Sequence, residues 1–210
     1  MTMNQKRSIL LIGTGGHARA CIDVIEGQGE YAIVGLVGTK ADLPNEILGY
    51  PVVGTDEELE PLLRQHGGGL VCIGQILTSE LRQKMFTILE KSGGALNAII
   101  SPRAYVSAHA NLGHGTIVLH GAVVNAGARV GRNCIVNSMA LIEHDSEIGD
   151  HCHVSTGARI NGNVSVGSGS FIGSGAIIRQ GVKIGAGAVI GMGARVKRDC
   201  AHGEIVKDAN

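Results

Sequence analysis

The sequence predicts two domains and a tail: a small Rossmann-like α/β domain at 1–98, an all-β domain folded as a parallel β-helix at 99–200, and a C-terminal tail at 201–210. Three observations support this prediction. Isoleucine, valine or leucine occupies every sixth position from Ile100 to Val196 without interruption. Small or β-branched residues stand four positions after each of them, from Ala104 to Cys200. Before residue 100, apolar strands alternate with amphipathic helices.

A period of six residues fits a β-helix, because each hexad supplies one short strand and one turn. Three hexads then make one coil of a triangular prism, whereas no amphipathic helix repeats every six residues. We expect the aliphatic residue to point into the prism and the small residue to fill the tight space beside a corner. The unbroken repeat predicts about five coils. Hexapeptide prisms are left-handed, an exception to the usual right-handed crossover.

Glycine directly follows the aliphatic residue in several hexads, where the chain must turn sharply. We expect positive φ at these positions, because glycine adopts it at little cost. The residues concerned are Gly113, Gly131, Gly149, Gly167, Gly173, Gly185 and Gly191.

Charge and cysteine content narrow the class of protein. The chain carries 18 basic and 18 acidic residues, so we expect neither nucleic acid nor an anionic membrane as a partner. The N-terminal apolar run is too short to span a bilayer and no small-residue cleavage site follows it, which predicts a cytoplasmic protein. Cys134, Cys152 and Cys200 fall in the small-residue position of the repeat, which indicates structural thiols.

The N-terminal domain begins with a strand, a glycine turn and a helix. The apolar strand from Ser8 to Ile12 runs into GTGGHA at 13–18, which matches G-x-G-x-x-A, and a helical pattern follows. Glycines let the backbone approach a phosphate, and the following helix presents free N–H groups. The alternative is that the turn only packs the helix against the sheet.

Three further strands and two helices are predicted before the repeat. The strands cover 32–37, 51–54 and 70–73, with 51–54 at an edge, and the helices cover 56–66 and 79–90. This pattern gives a small parallel sheet.

Ligands bind such sheets at the carboxyl ends of the strands. Here those ends are Gly13 to His17, Gly38 to Lys40, and Gly74-Gln75. The second strand ends at Gly38-Thr39 without the acid that holds a ribose in dinucleotide sites, which counts against NAD.

The domain order and several motifs resemble those of bacterial sugar acyltransferases that acetylate nucleotide-linked 4-amino sugars, and of relatives that O-acetylate sialic acid. The resemblance covers nearly the whole chain. Hexads alone mark a broad set of acyltransferases, so the two-domain order with further motifs is the more specific sign. These motifs are the GTGGHA turn, Ile142-Glu143-His144-Asp145, Ile148-Gly149, His153-Val154-Ser155 and Gly162-Asn163-Val164.

The resemblance implies a homotrimer that transfers an acetyl group from acetyl-CoA to a nucleotide-linked 4-amino sugar in bacterial glycan biosynthesis, without a metal. It makes His144 the general base and Asp145 its support, with Glu143 beside them. It also implies active sites between subunits. The implied acetyl-CoA residues are His153, Ser174 and Met192. The implied sugar-nucleotide residues are Gly15, Gly16, His17 and Gly74, to which the strand ends add Gly13 and Gly38.

The chemistry suits a histidine at this position. An imidazole that titrates near neutrality can take the proton of an attacking amine, which typically contributes about 10²–10⁴-fold. The neighbouring Asp145 would fix the tautomer and stabilise the imidazolium. Gly162 lies 18 residues after His144, one coil along at the same corner, so its backbone N–H is a candidate donor to the developing oxyanion.

Two departures from the family bear on ligand binding. Relatives usually carry acids where this chain has Gly38-Thr39, and they commonly end in a Gly-x-Pro-Ala-Lys segment that this chain replaces with residues 202–210. The missing contact to CoA could be rebuilt from basic residues near the end of the repeat. The candidates are Arg195, Lys197 and Arg198, with Arg159, Arg179 and Lys183 also along the prism; for each alone, a solvated surface charge is the simpler interpretation.

Three alternatives stay open. One is O-acetylation of a sialic acid-like sugar, and another is a catalytically silent trimeric scaffold or sugar-nucleotide sensor. The third is a metalloenzyme like the hexapeptide carbonic anhydrases, for which His109 and His114 have the right spacing but Ile73 stands where the third ligand is needed. His151 and His153 flank the inward Cys152, so both should point outward, without a clear third ligand.

Overall fold

The computed structural model of the chain describes residues 6–207, which form two compact units. The first consists of residues 6–74 and 84–96, and the second of residues 75–83 and 97–207. Residues 1–5 and 208–210, in the predicted first domain and C-terminal tail, lie outside the described residues. The limits predicted for the domains, 1–98 and 99–200, and for the tail, 201–210, stay predictions.

Residues 6–91 contain five strands and three α-helices. They are β1 Arg7–Ile12, α1 Gly16–Gln28, β2 Tyr31–Gly38, β3 Glu46–Ile47, β4 Tyr50–Thr55, α2 Leu59–His66, β5 Gly69–Val71 and α3 Glu80–Lys91. Short 3₁₀ turns cover Lys40–Asp42 and Asp56–Glu58. The sheet order is β3-β4-β2-β1-β5, with every pair parallel except β3 and β4.

This sheet differs from the prediction in two details. The segment 51–54 is not an edge, because the two-residue strand β3 pairs antiparallel with β4 outside it. The helix predicted from residue 56 starts as a 3₁₀ turn and becomes an α-helix only at Leu59. Apolar side chains of β1, β2, β5, α2 and α3 form the core of this unit, among them Leu10, Val37 and Phe86.

The second unit is a left-handed parallel β-helix of two-residue strands stacked in three sheets, as the hexads predict. Face 1 contains β6 Ile99–Ile100, β9 Ile117–Val118, β12 Ile135–Val136, β15 His153–Val154, β18 Phe171–Ile172, β21 Val189–Ile190 and β23 Ile205–Val206. Face 2 contains β7 Tyr105–Val106, β10 Val123–Val124, β13 Leu141–Ile142, β16 Arg159–Ile160, β19 Ile177–Ile178 and β22 Arg195–Val196. Face 3 contains β8 Asn111–Leu112, β11 Arg129–Val130, β14 Glu147–Ile148, β17 Ser165–Val166 and β20 Lys183–Ile184.

From β6 to β22, strands that pair are 18 residues apart in sequence, so three hexads complete one coil. The aliphatic residues fill the prism interior, and the small-residue series packs with them. Polar members of that series satisfy their hydroxyls locally: Ser146 Oγ donates to Asn161 O at 2.9 Å, and Ser170 Oγ donates to Gly185 O at 3.0 Å. A serine can therefore occupy this small-residue position in place of alanine without leaving its hydroxyl donor unpaired.

The thiols in this series are buried and form no disulfide. Cys134 Sγ donates to Gly149 O at 3.1 Å and Cys152 Sγ to Gly167 O at 3.2 Å, like the hydroxyls. The hydrogen bond with Cys134, together with burial, raises the pKa of Cys152 well above its ordinary value. This thiol is therefore a neutral core group, as the sequence indicates.

The prediction of positive φ directly after the aliphatic residue is wrong. The left-handed residue is the third one after the aliphatic, where Gly157 and Gly175 stand beside non-glycine residues such as Asp145 with φ 57°. The glycines directly after the aliphatic residue are needed for close stacking. A Cβ on Gly149, for example, would lie 2.7 Å from the backbone nitrogen of Ser168 in the next coil.

Residues 75–83 pack on face 1 of the prism. Gln75 Nε2 donates to His151 O at 2.8 Å, and the buried Arg82 donates from Nε to Asn133 O at 3.1 Å. The segment covers His153, whose ring is buried rather than facing solvent as the outward position suggested. The repeat alone gives no sign of this cover.

Within residues 6–207, no helix is both long and apolar enough to cross a membrane.

Candidate active site

His144 and Asp145 form a hydrogen-bonded pair on one edge of the prism. They follow β13 in the turn from face 2 to face 3, and His144 Nδ1 lies 2.9 Å from Asp145 Oδ2. Asp145 is the left-handed residue of this turn, a conformation that aspartate tolerates. With its Nδ1 proton directed at the carboxylate, the ring presents Nε2 as the basic nitrogen.

Backbone hydrogen bonds fix this turn between the neighbouring coils. Asp145 N donates to Ala126 O at 3.2 Å in the preceding coil, and Asn163 N donates to His144 O at 3.0 Å from the following one. Both side chains stay exposed, so a substrate can reach them.

Gly162 makes room for the imidazole. A Cβ on this residue would lie 2.6 Å from His144 Nε2 and 2.7 Å from Cε1. In the second position after the aliphatic residue, Gly162 is the only glycine between Pro102 and Arg198. Its φ is not in the left-handed region, so space rather than backbone conformation calls for glycine here.

Glu143, the third predicted catalytic residue, is directed at the Asn125 side chain and the backbone N–H of His144 rather than at the imidazole. Its Oε2 accepts hydrogen bonds from Asn125 Nδ2 at 2.9 Å and from His144 N at 3.3 Å. Asn125 was not identified from the sequence. It occupies the position of Glu143 one coil earlier, 18 residues before, and that spacing is the signal that could have found it.

His153 has both ring nitrogens engaged within the second unit. Nδ1 lies 2.9 Å from Gln75 O, which can only accept, and Nε2 lies 3.1 Å from Asn137 Nδ2, which can only donate. The ring is therefore a neutral imidazole with its proton on Nδ1. Phe171 packs edge-on against it, with ring centroids 5.2 Å apart.

Ser174 and Met192, the other predicted acetyl-CoA residues, line one apolar groove of about 640 Å³. Ser174 Oγ lies 2.9 Å from Ser155 Oγ, while Met192 is exposed. Phe171 connects this groove to His153. The other lining residues, which the sequence did not single out, are Ile76, Val189, Gly191, Ile205, Val206 and Lys207.

The two sets of residues lie on different edges of the prism. His144 and Asp145 follow a strand of face 2, whereas Ser174 and Met192 follow strands of face 1. Face 2 separates these edges. One chain therefore brings together the members of each set, but not the two sets.

The glycine turn of the first unit is open. Gly15 is the N-cap of α1 without a side-chain hydrogen bond, and a Cβ on Gly15 or Gly16 would meet nothing within 4 Å. Gly13 has φ 116°, and a Cβ there would lie 3.2 Å from the carbonyl of Cys72. A glycine is therefore required at this strand end for both conformation and space.

His17 and Gly74 lie together at the carboxyl ends of β1 and β5. A Cβ on Gly74 would be 3.8 Å from His17 Cβ, and His17 Nε2 lies 3.5 Å from Cys21 Sγ. These contacts place the predicted sugar-nucleotide residues at one end of the sheet, where parallel sheets bind ligands.

An acid does lie beside the end of β2, although none follows the strand directly. A Cβ on Gly38 would be 2.8 Å from Asp42 Oδ2, because the 3₁₀ turn brings Asp42 back. That carboxylate accepts from Thr39 N at 2.7 Å and Thr39 Oγ1 at 2.8 Å. The backbone and hydroxyl hydrogen bonds from Thr39 lower the pKa of Asp42.

Among residues 6–207, no three His, Cys, Asp or Glu side chains converge as metal ligands.

Family models match both parts of the chain. Residues 8–89 match the PglD N-terminal domain, and residues 163–198 match the bacterial transferase hexapeptide of six repeats. A comparison with curated proteins found no match.

Solved structures are similar over nearly the whole chain. The acetyltransferase domain of PglB from Neisseria gonorrhoeae FA1090 is 32% identical with a TM-score of 0.90, over 96% of this chain and 97% of that one. PerB from Caulobacter crescentus, in complex with CoA and GDP-perosamine, is 35% identical with a TM-score of 0.87, over 95% and 93%. WeeI from Acinetobacter baumannii AYE shares the fold at 22% identity, with a TM-score of 0.80 over 94% and 95%.

The Caulobacter protein is a GDP-perosamine N-acetyltransferase, and the Neisseria domain was also solved in complex with acetyl coenzyme A. The resemblance seen in the motifs is thus confirmed over nearly the whole chain, and the chain is an acetyltransferase. It belongs to the family of sugar N-acetyltransferases that join a PglD-type N-terminal domain to a left-handed β-helix of hexapeptide repeats.

Proposed function

We propose that this chain transfers the acetyl group of acetyl-CoA to the amino group of a nucleotide-linked 4-amino sugar, with His144 as the general base. The observation that carries the proposal is the His144–Asp145 pair at 2.9 Å, with Nε2 held over Gly162. The relatives support the substrates, since PerB was solved with CoA and GDP-perosamine and the PglB domain with acetyl coenzyme A.

The reaction is a direct transfer. The sugar amine attacks the thioester carbonyl, so a C–N bond forms, and the C–S bond breaks as the tetrahedral species collapses. His144 Nε2 takes the proton lost by the amine and returns it to the CoA sulfur, which leaves as the thiol. Asp145 stabilises the transient imidazolium and holds the ring in the required tautomer.

Gly162 supplies the candidate oxyanion donor. Within the described chain no acceptor is found for its N–H, and the residue lies against the His144 ring. A backbone N–H needs no reorganisation to stabilise charge that develops on the thioester oxygen. No nucleophilic side chain is needed for this route.

The binding residues follow from the two open regions of the molecule. We assign the apolar groove with Ser174 and Met192 to acetyl-CoA, where His153 acts by holding Phe171 rather than by contacting the ligand. We assign the nucleotide end of the sugar to the glycine turn of α1, with His17, Gly38 and Gly74 around it.

A complete site then needs a second copy of the chain. His144 and the apolar groove stand on separate prism edges, so one copy would contribute the base and its neighbour the groove. This arrangement supports a homotrimer with active sites between subunits, which sedimentation analysis would test.

Thiol release from acetyl-CoA tests the function. The acceptors are UDP-, GDP- and dTDP-linked 4-amino sugars, with free and CMP-linked sialic acids for the O-acetylation alternative. We expect release with one amino sugar, retained in the exposed His109→Ala control and reduced about 10²–10⁴-fold in His144→Ala. Release only with a sialic acid would contradict the proposed acceptor, and comparable turnover by His144→Ala would remove the proposed base.

A further inference from the structure

Three cationic side chains line a groove near the C-terminal end of the prism. This cationic groove, of about 320 Å³, consists of Arg179, Arg195 and Lys197 with Asn161, Ile177 and Val196. We propose that the cationic groove binds the phosphate groups of acetyl-CoA, an inference that rests on the proposed function.

The groove follows the edge that carries His144. Arg179 and Lys197 occupy the repeat position of Glu143, two and three coils further on, and Arg195 pairs in register with Ile177 on face 2. Neighbouring strands stack about 4.8 Å apart. The cations therefore lie about 10 to 14 Å from His144 along the prism axis.

This separation matches the dimensions of the cosubstrate. About a dozen bonds join the thioester sulfur of acetyl-CoA to its first phosphate, which gives a reach of about 15 Å at the rise per bond of an extended chain. If the thioester lies at His144, a pantetheine arm that runs along this prism edge would bring the phosphates of acetyl-CoA to the cationic groove. The apolar floor of Ile177 and Val196 can contact the pantetheine arm or the adenine.

Among residues 6–207, no ion pair balances the charges in the groove. Elsewhere on the prism, Arg129 pairs with Glu147 at 3.2 Å and Arg132 with Asp150 at 2.7 Å, each across one coil. Within residues 6–207, no acidic side chain pairs with Arg179, Arg195 or Lys197. Arg179 and Lys197 occupy the same repeat position in adjacent coils, so their like charges repel, and a bound polyanion would relieve that repulsion.

Arg198, which the sequence also suggested for this role, is held elsewhere. Its guanidinium pairs with Glu204 at 2.6 Å. Arg198 is therefore engaged in an ion pair and lies outside the cationic groove.

A sugar nucleotide carries the same phosphate chemistry as CoA. We assign the groove to CoA because it lies within reach of a thioester at His144 and because the glycine turn of α1 already offers a phosphate site for the sugar nucleotide.

The test is a triple variant, Arg179→Gln with Arg195→Gln and Lys197→Gln, compared with the control Arg103→Gln with Arg129→Gln. Both sets remove exposed cations of the prism. The acetyl donors are acetyl-CoA, acetyl-3′-dephospho-CoA and S-acetylpantetheine. We expect the triple variant to raise the KM for acetyl-CoA roughly tenfold or more, because charge-assisted contacts to phosphate are lost. The kcat, the S-acetylpantetheine rate and the KM for the sugar nucleotide should match the control.

An unchanged KM for acetyl-CoA would overturn the inference. A rise confined to the sugar nucleotide would assign the groove to that phosphate source and overturn it equally. If the wild type turns over no donor, the proposed function fails. Calorimetric titration with CoA and with pantetheine then still tests whether the cationic groove binds the phosphates of CoA. Weaker CoA binding by the triple variant, with pantetheine unchanged, would support the groove, whereas equal CoA binding would not.

Discussion

Gly162→Ala tests whether catalysis depends on where the His144 ring lies. The added Cβ would be 2.6 Å from Nε2, whereas carbon and nitrogen atoms in contact lie about 3.5 Å apart. The ring must therefore move by about 1 Å, a displacement that can cost about 10²-fold in rate. Because the variant keeps the Gly162 N–H, the loss would not come from removal of the oxyanion donor.

The stability of this variant should change little. The clash falls on the end of a rotatable side chain, and the backbone at Gly162 lies outside the left-handed region. Replacing glycine by alanine also restricts the unfolded chain, which raises the free energy of unfolding by about 0.4–1 kcal/mol and so offsets any strain. We expect the Tm to move by less than about 4 °C.

The assay is steady-state thiol release with an accepted amino sugar. Ala108→Ser is the matched control, because it also adds one heavy atom at the same repeat position and prism edge. We expect kcat to fall in Gly162→Ala only, with a KM for acetyl-CoA close to that of the wild type. A folded Gly162→Ala protein with wild-type kcat would show that turnover does not depend on the position of the His144 ring.

Three further predictions follow from single contacts. Asp145→Asn should lower kcat by about tenfold or more through loss of the carboxylate, while Asp145→Ala should also lower the free energy of unfolding by about 1 kcal/mol because alanine tolerates positive φ poorly. For Asp42, the depressed pKa means that its stabilisation is present above the ordinary carboxyl pKa and disappears as pH falls through the folded value. Asp42→Asn should therefore lower the urea midpoint at pH 7, and the difference should shrink as the pH drops below about 4; a constant difference would contradict the sign. Ile160→Ala, which empties a fully buried position, should cost about 2–5 kcal/mol in urea unfolding, whereas the exposed neighbour change Arg159→Ala should stay within about 0.5 kcal/mol.

The period of six predicts that His144 lies on a prism edge, because the phase of the repeat determines which residues face the core and which face outward. The aliphatic Ile142 faces the core, so the next residues form the turn at a prism edge. The same phase could not show which turn residue has positive φ, since glycine occurs repeatedly at both the first and the third position after the aliphatic residue. Asn133, Asp145 and Asn163 at the left-handed position carried the missing signal, because asparagine and aspartate adopt this conformation most readily after glycine.

The hexad repeat does not predict contacts between segments that are distant in the sequence. His153 is buried because residues 75–83 pack on face 1, and nothing in the hexads indicates that cover. Asp42 escaped notice because the acid was sought directly after β2, whereas a 3₁₀ turn returns it from four residues further along. Both cases depend on how a loop folds back, which local pattern does not determine.

The most direct test of His144-dependent N-acetylation is the rate at which His144→Ala acetylates one accepted sugar nucleotide, with the product identified by mass spectrometry and NMR. We expect an N-acetyl product from the wild type and a loss of about 10²–10⁴-fold in the variant, with an unchanged circular dichroism spectrum. A comparable rate in the variant, or an O-acetyl product from the wild type, would contradict this expectation.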